Sequence, residues 1–359
     1  MSVPDSRPNS SGRTITRPSS GLRAREGLIS VSLGAVLWGT NGVLVRTVSA
    51  HSHLPLVSIG CYRLCFSALV LLLVAGRPSL RAWRGADGLH RGLLVLSGIL
   101  LGLYSALYFA AIGNVGVSVS TLVSLGVAPL SITAWQALRR RRRPENRALL
   151  VLGLALLGLA LISLSSGSVG VSGGTPWLGV LESVGSGLGY AGSTLVSQRL
   201  HQVAGPLALT TVASVFGALV LVPFAALAGI SFAADAGTVG SLAYMGVVAT
   251  ALAYGLFFHG LRSTPSEVAS VLTLLEPLAA TVLAVLVVHE RLPWAGWIGS
   301  GLMLVAIAVL YAAPAGGAAH GSPDGPDGPG APGQPGQPGQ PWQPVAPVAP
   351  VAPATALAE

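Results

Sequence analysis

The chain contains no lysine, and only 9% of its 359 residues are charged. Soluble globular domains have roughly a quarter of their residues charged. This scarcity, with 52% hydrophobic residues and a mean hydropathy of +0.70, excludes a soluble fold and leaves a polytopic membrane protein. Cysteine is almost missing as well. Cys61 and Cys65 stand one helical turn apart in an apolar segment, which fits neither a disulfide framework nor a zinc site and reads as two small apolar side chains. No Walker-type nucleotide loop is present, so a primary pump would need a partner. Strict alternation of period two is lacking too, which argues against a transmembrane barrel. The formal charge of +8 could fit a nucleic-acid binder. Every cation is an arginine, however, and nearly all lie outside the apolar runs, so no nucleic-acid partner is expected.

What the chain has in abundance is apolar runs of spanning length. Residues 1–26 are rich in Ser, Arg and Pro and are expected to form a disordered cytoplasmic arm. A removable signal is not expected, because the first apolar run begins too far in and continues for about 22 residues. Ten spans follow, at about 27–48, 55–75, 92–112, 116–138, 148–165, 176–196, 206–227, 237–258, 265–288 and 294–312. Lipid offers the backbone no hydrogen-bond partners, so each should be helical, giving an all-α integral membrane protein. Residues 314–359 change to Gly-Gln-Pro and Val-Ala-Pro repeats and are expected to be a disordered tail with polyproline II character.

The arginines orient the spans. Alternate loops hold Arg77, Arg81, Arg84 and Arg91, then Arg139 through Arg143 with Arg147, then Arg199, then Arg262. On the other side stand only Arg291, beside Glu290, and Arg46 near the end of the first span. Positive loops face the cytoplasm, so both termini are expected there.

Aligned with itself, the chain repeats. Pro129 in the fourth span and Pro277 in the ninth are 148 residues apart, and at that shift Leu107-Tyr108-Phe109-Ala110 falls on Gly255-Leu256-Phe257-Phe258 and Ser118 on Ser266. At a slightly larger shift, Gly34, Trp38-Gly39-Thr40 and Arg46 fall on Gly187, Ala191-Gly192-Ser193 and Arg199. The halves are 27–165 and 166–313, each of five spans. An odd number makes the second half enter from the opposite face, giving two inverted five-helix repeats with a binding site near the midplane, at helices interrupted by proline or glycine. Pro129 and Pro277 are the expected hinges.

Three stretches carry a family resemblance: Leu37-Trp38-Gly39-Thr40-Asn41, Tyr62-Arg63-Leu64-Cys65-Phe66, and Ala269-Ser270-Val271-Leu272-Thr273-Leu274-Leu275-Glu276-Pro277 with His289-Glu290-Arg291-Leu292. The chain resembles the EamA-type ten-helix permeases of the drug/metabolite transporter superfamily over residues 27–312. The resemblance implies a bacterial inner-membrane carrier of small metabolites, with a central cavity lined mainly by the first four helices of each half. Two positions depart from the pattern. Ala128 stands opposite Glu276, and His289 stands where a small residue is more usual.

Glu276 and Pro277 lie side by side in the middle of the ninth span, about ten residues or roughly 15 Å from either face. The proline frees the carbonyl of Thr273, and a carboxyl at that depth is a candidate for proton exchange or for pairing with Arg63. Arg63 lies about eight residues into the second span, deeper than its side chain easily reaches from the surface. It is a candidate for a substrate carboxylate or phosphate, or for neutralising Glu182 or Glu276. Glu182 is a weaker candidate nearer the end of the sixth span. Trp38, Asn41, Tyr104, Tyr108, Tyr190 and Tyr254 lie within spans, where they line a cavity or satisfy one another. Glu267 is expected to close a capping box with Thr264, and Gly98, Gly102, Ala106 and Ala110 to give the third span a smooth packing face. Gly187-Leu188-Gly189-Tyr190-Ala191-Gly192 mimics a dinucleotide fingerprint without the strand that motif requires. His51 and His53 are too isolated for a metal site. No cofactor or metal is expected. The reading is a secondary transporter of small metabolites working by alternating access, with export the expected direction and proton coupling and a homodimer left open. The alternative is an integral-membrane enzyme acting on a lipid or prenyl substrate.

Overall fold

A computed structural model describes residues 20–141, 143–165, 175–231, 235–287 and 293–312. Most of the N-terminal arm, the Pro/Gly-rich tail, the His289-Glu290-Arg291-Leu292 motif and the Arg46 side chain lie outside the described residues. The helices are α1 (Ser20–Ser52), α2 (Leu56–Gly85), α3 (Gly88–Arg140), α4 (Asn146–Ser165), α5 (Pro176–Arg199), α6 (Pro206–Ala228), α7 (Ala236–Gly246), α8 (Ala253–Gly260), α9 (Ser266–Leu272), α10 (Leu275–Val287) and α11 (Trp294–Tyr311), with a π-helical segment at 247–252 joining α7 to α8. No strand occurs among the described residues.

Eight of these stretches are long and apolar enough to cross a membrane. They become ten spans for two reasons. α3 is 53 residues long and contains the third and fourth spans, which meet at Gly116 (φ 80°, ψ 169°), a backbone geometry that an L side chain resists. α5, the sixth span, falls short in apolarity because it is built from glycine and serine. Its Ser183, Ser186, Ser193, Thr194 and Ser197 are buried against neighbouring helices, where hydroxyls bond other backbones rather than face lipid. Ser124 Oγ donates to the Ser183 carbonyl at 3.1 Å, and Ser193 Oγ to the Ser97 carbonyl at 3.1 Å. α7 with α8 makes the eighth span, α9 with α10 the ninth.

The packing keeps its form when the halves are exchanged. α1 packs on the eighth and ninth spans through α8 and α10, and α5 packs on the third and fourth spans of α3. The second span α2 packs on the seventh, α6, and the fifth, α4, on the tenth, α11. Individual glycines repeat the exchange. A Cβ on Gly98 would come within 2.6 Å of Phe216 Cβ, and one on Gly246, 148 residues on, within 2.3 Å of Phe66 Cβ. On the pairing of fifth and tenth spans, a Cβ on Gly158 would meet the Gly299 carbonyl at 2.6 Å, and the reverse contact is also 2.6 Å. Such close approach supplies the van der Waals contact that holds helices together in lipid. Gly98, Gly102 and Ala106 are buried as part of this face, whereas Ala110 is exposed. Cys61 is buried, but Cys65 is exposed on the outside of the bundle.

Two of the arginine-rich loops reach other helices, Arg140 through Glu267 at 3.4 Å and Arg147 through the Val309 carbonyl at 2.7 Å. Asp87 caps α3 by accepting from His90 N at 2.8 Å, and Arg91 reaches back to the Trp83 and Arg84 carbonyls at 2.9 Å each. Backbone and side-chain bonds from His90 hold the Asp87 carboxyl below its ordinary range. At the opposite end Asp235 caps α7 through Thr238 N at 3.0 Å and is lowered for the same reason.

Candidate functional site

The site starts from the interruption of the ninth span. α9 ends at Leu272 and α10 begins at Leu275. Between them Leu274 N donates to the Val271 carbonyl and Glu276 N to the Thr273 carbonyl, both at 3.0 Å. These are i to i−3 bonds in place of helical i to i−4 ones. The Thr273 carbonyl that Pro277 leaves without a partner is thereby taken up by the Glu276 amide. The Ser270 carbonyl, which loses its usual amide, accepts instead from Thr273 Oγ1 at 2.8 Å. Glu276 emerges in the first turn of α10, where the local helix dipole favours an acid.

Around this turn the fold gathers aromatic rings from both halves. Trp38 of α1 stands with its ring centroid 4.8 Å from Tyr254, 5.3 Å from Phe257 and 6.4 Å from Tyr190. Tyr104 and Tyr190 pack edge to face at 5.5 Å, and the Tyr104 and Tyr254 hydroxyls are hydrogen-bonded at 2.7 Å. Tyr108 shares a 2.7 Å bond with Thr121 Oγ1. Trp38 and Tyr190 are 152 residues apart and meet between the first spans of the two halves.

The polar inventory is incomplete in one direction. Trp38 Nε1 and Arg63 Nε are buried without a hydrogen-bond partner, as is the Asn41 side-chain oxygen. Asn41 Nδ2 donates to the Ala249 carbonyl at 3.4 Å, within the π-helical segment. Thr194 and Thr273 stand beside Tyr190, and Arg63 lies within electrostatic reach of Tyr108, Tyr254 and Glu276 without forming an ion pair. Buried donors left open are rare in folded proteins and require an account. Two open donors and a carboxyl around aromatic walls can hold a small molecule that presents acceptors to Arg63 and Trp38 and an apolar or ring surface to the tyrosines.

Of the residues predicted for the site, Trp38, Arg63, Tyr104, Tyr108, Tyr190, Tyr254 and Glu276 are brought together, with Asn41 next to them. Pro277 follows the break, and Pro129 is buried within α3. Glu182 is elsewhere. It accepts from Asn114 Nδ2 at 2.9 Å, and Asn114 Oδ1 in turn accepts from Thr175 N at 3.1 Å, so this acid ties the sixth span to the end of the third, away from the arginine-rich face. The expected capping box is absent too. α9 begins at Ser266 with Pro265 as its N-cap, which displaces Thr264 from the capping position and leaves its hydroxyl buried and unpartnered. Glu267 pairs instead with Arg140, at 3.4 Å. Sequence reasoning missed Thr121, Thr194, Thr273, Phe257 and the π segment. A hydroxyl three residues before the Glu-Pro pair was a readable signal for Thr273, but 247–252 contains neither glycine nor proline to mark it.

A cavity of about 260 Å³ opens near Thr40, Leu44, Tyr244, Leu283 and Val287. Among the described residues its lining has no charged group, and it lies beyond the aromatic cluster, toward the far ends of the first and ninth spans.

Two inverted five-span repeats with an interrupted helix and unsatisfied polar groups between them define a membrane permease of the two-repeat class. The sequence matches the EamA-like transporter family over residues 25–164 and again over 177–312, and the chain belongs to that family. It is 30% identical to "Uncharacterized transporter YwfM" of Bacillus subtilis (strain 168), over 79% of this chain and 93% of that one. It is 25% identical to "Uncharacterized inner membrane transporter YicL" of Salmonella typhimurium, over 80% and 95%, and 28% identical to an "Uncharacterized transporter" of Archaeoglobus fulgidus, over 80% and 97%. A crystal structure 18% identical superposes with a TM-score of 0.63, over 82% of this chain and 96% of that chain, and shares its fold. The chain is a multi-pass membrane transporter; family and relatives are named for transport, not for an enzymatic reaction.

Proposed function

We propose that this protein moves a small amphipathic metabolite carrying a carboxylate or phosphate across the bacterial cytoplasmic membrane, outward, by alternating access. The arginine-rich face is the cytoplasmic one, and both termini lie there. The reading rests on one observation: the unpartnered donors of Trp38 and Arg63 lie at the aromatic cluster, with Arg63 within electrostatic reach of Glu276 on the interrupted ninth span. Arg63 receives the acidic group bidentately, the rings enclose the apolar part, and Glu276 exchanges the coupling proton.

Counterflow in proteoliposomes, across a panel of organic acids, phosphate esters, amino acids, sugars and cationic drugs, tests it. Saturable exchange of an acidic solute without conversion is expected. Chemical conversion of the solute, or exchange confined to cations, refutes the reading. For the coupling role, Glu276→Gln should retain counterflow and lose acceleration by an imposed pH gradient; an unchanged response removes Glu276 from that role.

A further inference from the structure

The packing sorts the six central spans into two groups, the first with the eighth and ninth, and the sixth with the third and fourth. Where the groups face each other across the fourth and ninth spans, the contact is lopsided. α9 packs on α3, whereas α10, the other half of the same span, shares no comparable face with it. The packed part is the arginine-rich end. There Arg140 of the fourth span meets Glu267 of the ninth at 3.4 Å, and Gln136 Nε2 donates to Ser266 Oγ at 3.1 Å. Among the described residues, Arg140 and Glu267 are the one arginine–carboxylate ion pair.

We infer that Arg140 and Glu267, with Gln136 and Ser266, form a latch that holds the arginine-rich end of the transport path shut while the opposite end is open. Release occurs by bending of the ninth span at Thr273 and Leu274. Residues 266, 270 and 273 share one helix face. Ser266 is in the latch, Thr273 stands beside Tyr190, and Ser270 between them is fully buried. The latch and the aromatic site are thus two ends of one short track. Its hinge is already shaped, because the carbonyls at the break are satisfied by i−3 bonds and a hydroxyl rather than by the helical ladder. A partly exposed ion pair is a weak lock, which suits a latch that must open in every cycle.

This inference rests on alternating access, and its test does not need the substrate. The full chain with Cys61→Ala, Cys65→Ala and Ser270→Cys is placed in lipid nanodiscs, and the rate of maleimide labelling at position 270 is measured. Arg140→Glu should label about two- to fivefold faster than the parent, the range an exposed pair supports. The exchanged pair Arg140→Glu with Glu267→Arg should bring the rate back, which a merely misfolded variant would not do. Equal rates in parent and Arg140→Glu, or an exchanged pair as fast as the single variant, would overturn the latch. Labelling reports opening even if no solute is exchanged, so failure here and failure of counterflow are separate results.

Discussion

In the fourth span Pro129 sits inside continuous helix, whereas in the ninth Pro277 follows a break at Thr273 and Leu274. The prolines occupy matched places, so proline alone does not decide the outcome. The residues before them do. Thr273 can hand its hydroxyl to the Ser270 carbonyl, a local bond that competes with the helical ladder and bends helices. Its counterpart 148 positions earlier is Leu125, which has nothing to offer, and the counterpart of Glu276 is Ala128. The repeat supplies a common frame; the copy with two polar residues at these places has an interrupted helix with an acid beside it, and the copy without them keeps its helix.

The comparison breaks most visibly at the charges. Arg63→Ala should lower exchange by more than about tenfold, a loss of at least ~1.4 kcal/mol in transition-state terms. Moving the acid, Ala128→Glu with Glu276→Ala, should leave acceleration by an imposed pH gradient lost, because the fourth span lacks the break. Recovery by the transplant would show that the halves are interchangeable. Next in size, Thr273→Val should slow exchange by about fivefold, the equivalent of one buried hydrogen bond, while Leu125→Thr should leave the rate within about twofold of the parent; both are read from counterflow rates at saturating solute.

Where the halves are alike, the effects should be alike. Gly98→Ala and Gly246→Ala both drive a methyl into a phenylalanine Cβ, and each should lower stability by about 1–3 kcal/mol, measured by thermal unfolding in detergent. A loss confined to one would disprove the matched packing. The smallest effect belongs to the loop after α5, where burial, then the Arg262 charge, pushes His201 down to about 4. Between its ordinary range near 6.5 and that value, the unfolded chain binds the proton and the folded chain does not, so this contribution to stability is present above pH 6.5 and lost as pH falls toward 4. His201→Gln should flatten the drop in melting temperature over that window.

Much of this was legible in advance. Apolar runs located ten spans, and matched prolines and aromatics located the repeat. The third and fourth spans run on with no loop because a single glycine turns the chain, something apolarity cannot display. Trp38, Arg63, Tyr104, Tyr108, Tyr190, Tyr254 and Glu276 stood out because polar tips deep in spans need partners, and the fold collects them. Glu182 stood out for the same reason and proved to have its partner, Asn114, close to the membrane end of a neighbouring helix. Glu267 failed as a cap through a one-residue difference in where α9 begins. The π segment left no trace, since the Thr250 hydroxyl that bonds the Met245 carbonyl at 2.7 Å looks in sequence like any threonine.

Gly116 carries a mechanical consequence. With one residue between them, the third and fourth spans have no loop to take up a displacement. Arg140 lies on the fourth span and Tyr104 and Tyr108 on the third, so a residue of the proposed latch and two residues of the aromatic cluster belong to one unbroken stretch of chain, packed against the α5 helix that carries Tyr190.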